Sequence, residues 1–365
     1  MPYQAPPLQS ATLPEIQVGG RARPELARDL ASLSMEEDIE GMKRLHFTLV
    51  AIGPRAGATA EGLNWLDGQV LDFGSELSVS MGPSDARAPV FKGKVSSLVL
   101  EMRQGRAPEV DCLAEDRLME LRLTRRFKTY ESVSDADLVR EIAARHGLAA
   151  QVAVDGPTHA VVQQWNQSDL AFLRERARRL AADVWVSDDG LHMAGRAQRQ
   201  GSRITLIQGN NLIEARIAAD LAHQRGAVRV GGYDDGSRDG IDEEAGADVV
   251  TAEAQGSRHG VEVLERAFGA GRDSHRTREV PLDGRQAASL ARAAMLTRAR
   301  RFVTVAGVAD GTPSLGVGSL LRLERVGPMF EGEGYYVTRV RHRFDLTHGY
   351  RTHFEAERAW IGSGA

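Results

Sequence analysis

Three histidines near the end of the chain, His342, His348 and His353, lie on adjoining strand segments and the turn between them. That placement invites a metal reading, but a metal site needs three or four converging ligands. Strand alternation puts His342 and His353 on different faces, so packed or interface histidines fit better. Six carboxylates, Asp234, Asp235, Asp239, Asp242, Glu243 and Glu244, offer oxygen ligands for calcium. They do not keep the spacing of calcium-binding loops and read as a solvated acidic loop. Gly311-Thr312-Pro313-Ser314-Leu315-Gly316 has a superficial likeness to a nucleophile elbow, with the wrong spacing and no helix after it. The only Gly-Lys pair, Gly93-Lys94, runs into Val95 inside a strand, so no phosphate loop follows. Asp67, Asp72, Asp111, Glu115 and Asp116 contain enough carboxylates for a hydrolytic pair, but scattered surface acids are far more common and account for them better. No catalytic, cofactor-binding or metal residue emerges.

Arg339, Arg341 and Arg343 alternate with apolar residues and form a positive stripe. Such a stripe either tracks a phosphate backbone or pairs with acids on a neighbouring strand or subunit. Aromatic residues make up 5% of the chain and do not interleave with it, which favours the second reading.

The stripe belongs to the longest β pattern in the chain. Leu320 to Val326, Tyr335 to Leu346 and Tyr350 to Arg358 read as three strands, joined by a glycine-rich corner and by His348-Gly349. In the middle strand Tyr336, Thr338, Val340, His342 and Phe344 are expected on one side, opposite the three arginines. Thr352, Phe354 and Ala356 alternate with Arg351, His353 and Glu355. Strands of this length suit a barrel or tube wall.

Upstream, Lys43 to Val50, Leu77 to Met81 and Val90 to Met102 carry the same period, with a kink expected at Gly93 and a turn at Gly82-Pro83-Ser84-Asp85. Pro24 to Ala31 predicts a short helix. After Cys112 the pattern becomes α/β. Ser134 and Asp137 have capping-box spacing, Gly147 sits where that helix ends, and a second helix starts at Ser168. Val184 to Met193 reads as a hairpin. Tyr233 to Ala254 reads as an acidic loop, and Gly284 to Arg301 as a strong helix. The expected organisation is an arm over 1–13, a first barrel over 14–112, an α/β module over 113–203, a second barrel over 204–233 and 302–361, and an inserted acidic loop and helix over 234–301.

A chain of 365 residues is long enough for more than one core. Net charge is −4, so no global basic field recruits nucleic acid. Lys43, Lys92, Lys94 and Lys128 are the only lysines, a bias that a GC-rich genome explains. A single cysteine, Cys112, excludes an intrachain disulfide and a cysteine metal cluster and fits a reducing compartment of synthesis. No apolar run reaches transmembrane length, and Met1 to Pro14 is proline-rich without a signal-peptide pattern.

Gln164-Trp165-Asn166-Gln167-Ser168-Asp169-Leu170-Ala171-Phe172-Leu173 resembles a stretch of phage late control protein D and VgrG-type baseplate hub proteins. Ser134 to Leu148 is similar to the helix that precedes it, and Val228 to Asp234 to a strand ending in glycine, aromatic and aspartate. Pro313 to Leu315, Tyr336, His342, Gly349, Tyr350, Thr352, Phe354 and Arg358 match the closing segment. The likeness runs in the same order from Pro14 to Arg358.

The resemblance implies a mainly β fold with α/β insertions: two tail-tube-like β-barrel domains plus two smaller domains, in a trimeric pseudo-hexameric ring. It implies a non-enzymatic homotrimer that adapts a six-fold inner tube to a three-fold spike. Its partners would be the inner tail-tube protein, a separate spike protein, other baseplate proteins, and tape measure or cargo, with no cofactor, no membrane anchor and no specific nucleic acid. It would be made in the bacterial cytoplasm and assembled into a phage tail or injection-system particle. Fused members continue into a spike; a chain ending at Ala365 resembles the split arrangement. The arginine stripe becomes an intersubunit or channel surface. Two other classes stay open: a tail-carried cell-wall hydrolase or effector, and a phosphate- or nucleic-acid-binding module.

Overall fold

The computed structural model describes residues 13–53, 62–83, 86–199, 201–254 and 258–362. The arm expected over 1–13 falls, but for Leu13, outside them, as do Ser84 and Asp85 of the expected turn.

The first block contains β1 (Glu15–Val18), β2 (Arg21–Ala22), α1 (Pro24–Arg28), β3 (Leu30–Asp38), β4 (Arg44–Val50), β5 (Glu76–Met81), β6 (Ala88–Glu101) and β7 (Glu109–Glu115). Alternation decides its inner face: Leu45, Phe47 and Leu49 are buried, while Arg44 and His46 are exposed. These strands pair antiparallel in the order β3-β4-β7-β6-β5-β1-β2. No register shift falls at Gly93 itself, the site expected for a kink: β6 is irregular between Pro89 and Phe91 against β5 and between Val95 and Ser97 against β7. Gly93 serves a close approach, since a Cβ there would sit 2.3 Å from the Glu115 carbonyl oxygen.

An α/β block follows, with α2 (Leu118–Arg122), β8 (Arg125–Val133), α3 (Asp135–Arg145), β9 (Ala149–Ala153), β10 (His159–Ser168), α4 (Asp169–Arg179), β11 (Ala182–Ser187) and β12 (Gly190–Gly195). Its two helices start as their caps dictate. The Ser134 hydroxyl and Asp137 form a complete capping box, and the Ser168 hydroxyl accepts the Ala171 N–H. Leu138, Ile142, Leu170 and Leu173 meet in a separate core.

The closing block has β13 (Arg203–Ile207), β14 (Leu212–Ala219), β15 (Val228–Asp234), β16 (Asp239–Ala245), α5 (Ala247–Thr251), β17 (Arg258–His259), α6 (Gly260–Phe268), β18 (Ser274–Arg276), α7 (Gly284–Arg300), β19 (Val303–Asp310), β20 (Leu320–Glu324), β21 (Gly332–Asp345), β22 (Gly349–Arg358) and β23 (Trp360–Ile361). Two expectations are corrected here. The acidic stretch after Tyr233 is a regular hairpin, because Ile241 and Ala245 give β16 a buried side against α7. Val228–Asp234, expected in the second barrel, pairs with β16 and β18 and leaves the large sheet.

The fold is thus mainly β with α/β and helical insertions. Among the described residues β1–β7 of the first block and β13, β14 and β19–β22 of the closing block form one 13-stranded sheet, with two cores: one around Phe47 and Leu77, the other around Val305 and Phe354. β21 makes the connection. On one side it pairs with β22 along its length. On the other, Tyr335 and Tyr336 pair with β20, and Arg339 to Asp345 pair with β3. Fourteen residues are needed because the strand serves two neighbours in succession.

Candidate functional site: the arginine seam and the buried junction beside it

A bulge in β21 between Val337 and Arg339 marks the change of neighbour. The extra residue reverses the alternation. Tyr335 and Val337 face the core before it and Val340 and Phe344 after it, so Tyr336 lies opposite the side expected for it. Its hydroxyl donates to Asp183 Oδ2 at 3.0 Å instead.

Arg339, Arg341 and Arg343 do share a half-exposed face, and their first partners lie within the chain. Arg339 Nε donates to Glu36 Oε1 at 2.6 Å and Arg341 to Glu36 Oε2 at 2.7 Å, across the β21–β3 seam. Arg343 lies 3.4 Å from Asp345. Burial pushes the Glu36 carboxyl up, but hydrogen bonds from Arg341 and Arg339 outweigh it and hold the group below its ordinary range. Individually such exposed pairs contribute little, at most about 1 kcal/mol. Arg339 and Arg341 line a shallow groove of about 480 Å³ shared with Arg216, His353 and Glu355.

The three histidines do not converge. His342 is buried, its Nδ1 2.7 Å from the Tyr350 hydroxyl and 3.3 Å from Thr352 Oγ1. Burial pushes its imidazole down to about 3, so it is neutral. His348 sits in the exposed turn against Asp345, and His353 lies on the arginine face. Among the described residues no three metal-ligating side chains come together. Thr352 also accepts the Thr312 N–H at 2.9 Å, and the Tyr350 ring packs on Gly311, where a Cβ would be 2.2 Å away. The Gly311–Gly316 segment is therefore a turn pinned to β22. Gly349 turns the chain with φ of 67°.

Arg358 is buried, and among the described residues no carboxylate pairs with it. It donates to the carbonyls of Trp360, Glu331, Glu333 and Met329 at 2.8–3.3 Å and lies 4.2 Å from the centre of the Tyr335 ring. It fastens the corner before β21 to the end of β22.

The Gln164–Leu173 motif is equally structural. Asn166 takes a left-handed conformation (φ 48°) at a bulge in β10, which asparagine tolerates. Asp169, almost fully buried, accepts from Gln164 (2.9 Å), Arg126 (3.1 Å) and Arg145 (3.0 Å), with His146 Nε2 at 2.9 Å. Burial raises its pKa, but these partners prevail and keep it below the ordinary carboxylate value. Leu170, Phe172 and Leu173 fill the core beneath, with Phe172 stacked on Tyr130 at 5.8 Å.

Sequence reasoning missed an ionic junction between the α/β block and the sheet. Arg199 donates to Glu37 at 2.6 Å and to Asp183 at 3.3 Å, and lies 4.4 Å from the Trp185 ring centre. Arg196 reaches Glu357 at 2.5 Å and covers the Tyr336 ring. Its one advance signal was Glu37, an acid inside an alternating strand.

This fold, one large sheet with two cores, is similar to that of solved phage-tail proteins. The 43 kDa tail protein of prophage MuSo2 from Shewanella oneidensis superposes with a TM-score of 0.68 at 13% identity, over 95% of this chain and 98% of that one. The tail protein of Neisseria meningitidis MC58 gives 0.62 at 12%, over 95% and 97%. An E. coli type VI secretion component, itself described as similar to T4 tail proteins gp27 and gp5, gives 0.58 at 12%, over 96% and 79%. The chain belongs to the family described as the Alg8 N-terminal domain, whose model matches residues 38–345. That description differs from the late control protein D family that the motifs resemble. No curated protein matches the sequence. No helix among the described residues is long and apolar enough to cross a membrane.

Proposed function

We propose that this chain is a structural hub subunit of a contractile phage tail or tail-like injection system, without catalytic activity. The observation that carries the reading is the β21–β3 seam, through which one chain presents two β units side by side, each with its own core. Three copies would present six such units to a six-fold tube, and a separate spike would dock on the three-fold side. The α/β block and the β15–α7 region would be the two smaller domains. The open edges support the reading: among the described residues β14 has β19 as its one strand partner, beyond a single bridge from Leu212 to Gln208, and β13 has β20. Edges like these need covering in a soluble assembly. The names of the fold relatives point the same way. Partners would be the tube protein, the spike, other baseplate proteins, and tape measure or cargo.

Light scattering on the purified chain tests this. A trimer that co-sediments with assembled tube protein is expected; a strict monomer at high concentration that also clears peptidoglycan would overturn it.

A further inference from the structure

A groove of about 1230 Å³ runs between α4, α7 and the outward face of the sheet. Small residues such as Ala218, Ala293 and Ala306 line it, so a segment of backbone has room to enter. Most of its arginines have acids of their own, as Arg179 has Glu175 and Arg300 has Glu253. Three do not. Among the described residues Arg216 and Arg301 make no ion pair or side-chain hydrogen bond. Arg298 reaches only the Ser274 hydroxyl at 3.3 Å. Burial, with Arg225 and Arg276 close by, lowers the pKa of Arg298, as expected where positive charge is crowded. Carboxylates such as Glu40, Glu175 and Glu357 share the lining, but these are paired with arginines. The three unpaired guanidiniums therefore leave a local excess of positive charge that suits an anionic occupant.

The same chain carries a surface of the opposite character. Between Tyr233 and Ala245 the sequence carries six carboxylates and one arginine, Arg238, and two of the six, Asp242 and Glu244, pair with Arg229 of β15. The structure draws this stretch into the β15–β16 hairpin, whose turn runs from Asp234 to Asp239. Asp235 has no ion pair or hydrogen bond among the described residues. Asp239 reaches only the Gly240 N–H. Tyr233, 55% exposed, stands beside them. Asp234 is held by the Gly236 and Ser237 N–H groups and shapes the turn; an exposed tyrosine with Asp235 and Asp239 turned to solvent beside it has the make-up of an interface anchor.

We propose that the Tyr233–Asp239 hairpin of one copy docks in the groove of the next copy, against Arg216, Arg298 and Arg301. Groove and hairpin are different patches, so the contact is heterologous: each copy gives its hairpin forward and receives one behind, and a three-fold rotation closes the ring. The inference rests on the homotrimer reading and names the contact that would hold it.

The test is charge exchange read by light scattering and sedimentation, with circular dichroism confirming that each variant folds. The residues to be changed are exposed. In the full chain, Asp235→Arg with Asp239→Arg, and separately Arg216→Glu with Arg301→Glu, should each weaken the trimer on the order of tenfold or more. Tyr233→Ala should weaken it as well. The chain carrying all four charge reversals should recover assembly. Variants as trimeric as the wild type would overturn the docking contact while leaving the trimer intact. So would a four-fold variant no better than its parents. A wild type that stays monomeric would remove the hub reading and this contact together.

Discussion

Glu37 and Arg199 meet at 2.6 Å inside the molecule although 162 positions separate them in the chain. Glu37 comes from the sheet strand β3, and Arg199 from the segment leaving the α/β block. Their contact therefore fixes how those two units are joined.

Burial pushes the Glu37 carboxyl above its ordinary range despite Lys43 and Arg199 nearby. Arg199→Met should therefore cost about 3–5 kcal/mol at an alkaline pH that leaves Glu37 ionised without its partner. The loss should shrink at an acidic pH, as Glu37 takes up a proton instead. Adding Glu37→Gln should recover part of the loss. Urea unfolding at the two pH values measures this; a loss under about 1 kcal/mol at both would mean that the junction contributes no more than a surface pair.

Asp169 and Asp116 should shape the pH dependence in opposite directions. The folded pKa of Asp169 lies below its unfolded value. Its stabilisation is thus complete above about pH 4 and is lost as pH falls through the folded value. Asp169→Asn should flatten that acid limb and destabilise the chain at neutral pH by about 3–5 kcal/mol, since Arg126 and Arg145 lose their counter-charge. Burial pushes Asp116 up to about 7 against hydrogen bonds from the Lys43 and Leu118 N–H groups. Its contribution is fully present below about pH 4 and fades as pH rises through about 7. Asp116→Asn should remove that second slope. Melting temperatures from pH 3 to 8 would show both effects, and unchanged curves would contradict them.

Phe344 comes from β21, late in the chain, yet packs with Phe47 and Leu77 in the first core. Phe344→Ala should cost about 3–5 kcal/mol. Because β21 is common to both halves, their unfolding should stay coupled. Single-tryptophan variants that keep only Trp65, in the first core, or only Trp360, at the end of the second block, should shift together in denaturant. Separate midpoints would show that the halves unfold independently.

Local signals in the sequence were enough for the caps at Ser134 and Ser168, the glycine turns, and the inward sets Leu45-Phe47-Leu49 and Thr352-Phe354-Ala356. Each depends on neighbours a few positions away. The α/β character of the middle block and the length of β21 were legible for the same reason. The side taken by Tyr336 was not. One bulge residue reverses a period-two pattern, and that bulge exists because β21 changes partner from β20 to β3. The acidic hairpin was missed because its solvent face is all charge, and only packing on α7 gives it a buried side. Glu36 beneath Arg339 and Arg341, and Glu37 with Arg199, pair across hundreds of positions or nearly so. Composition and spacing supplied the charges; which ones face each other was decided only when the two halves of the sheet joined and the α/β block closed over the seam.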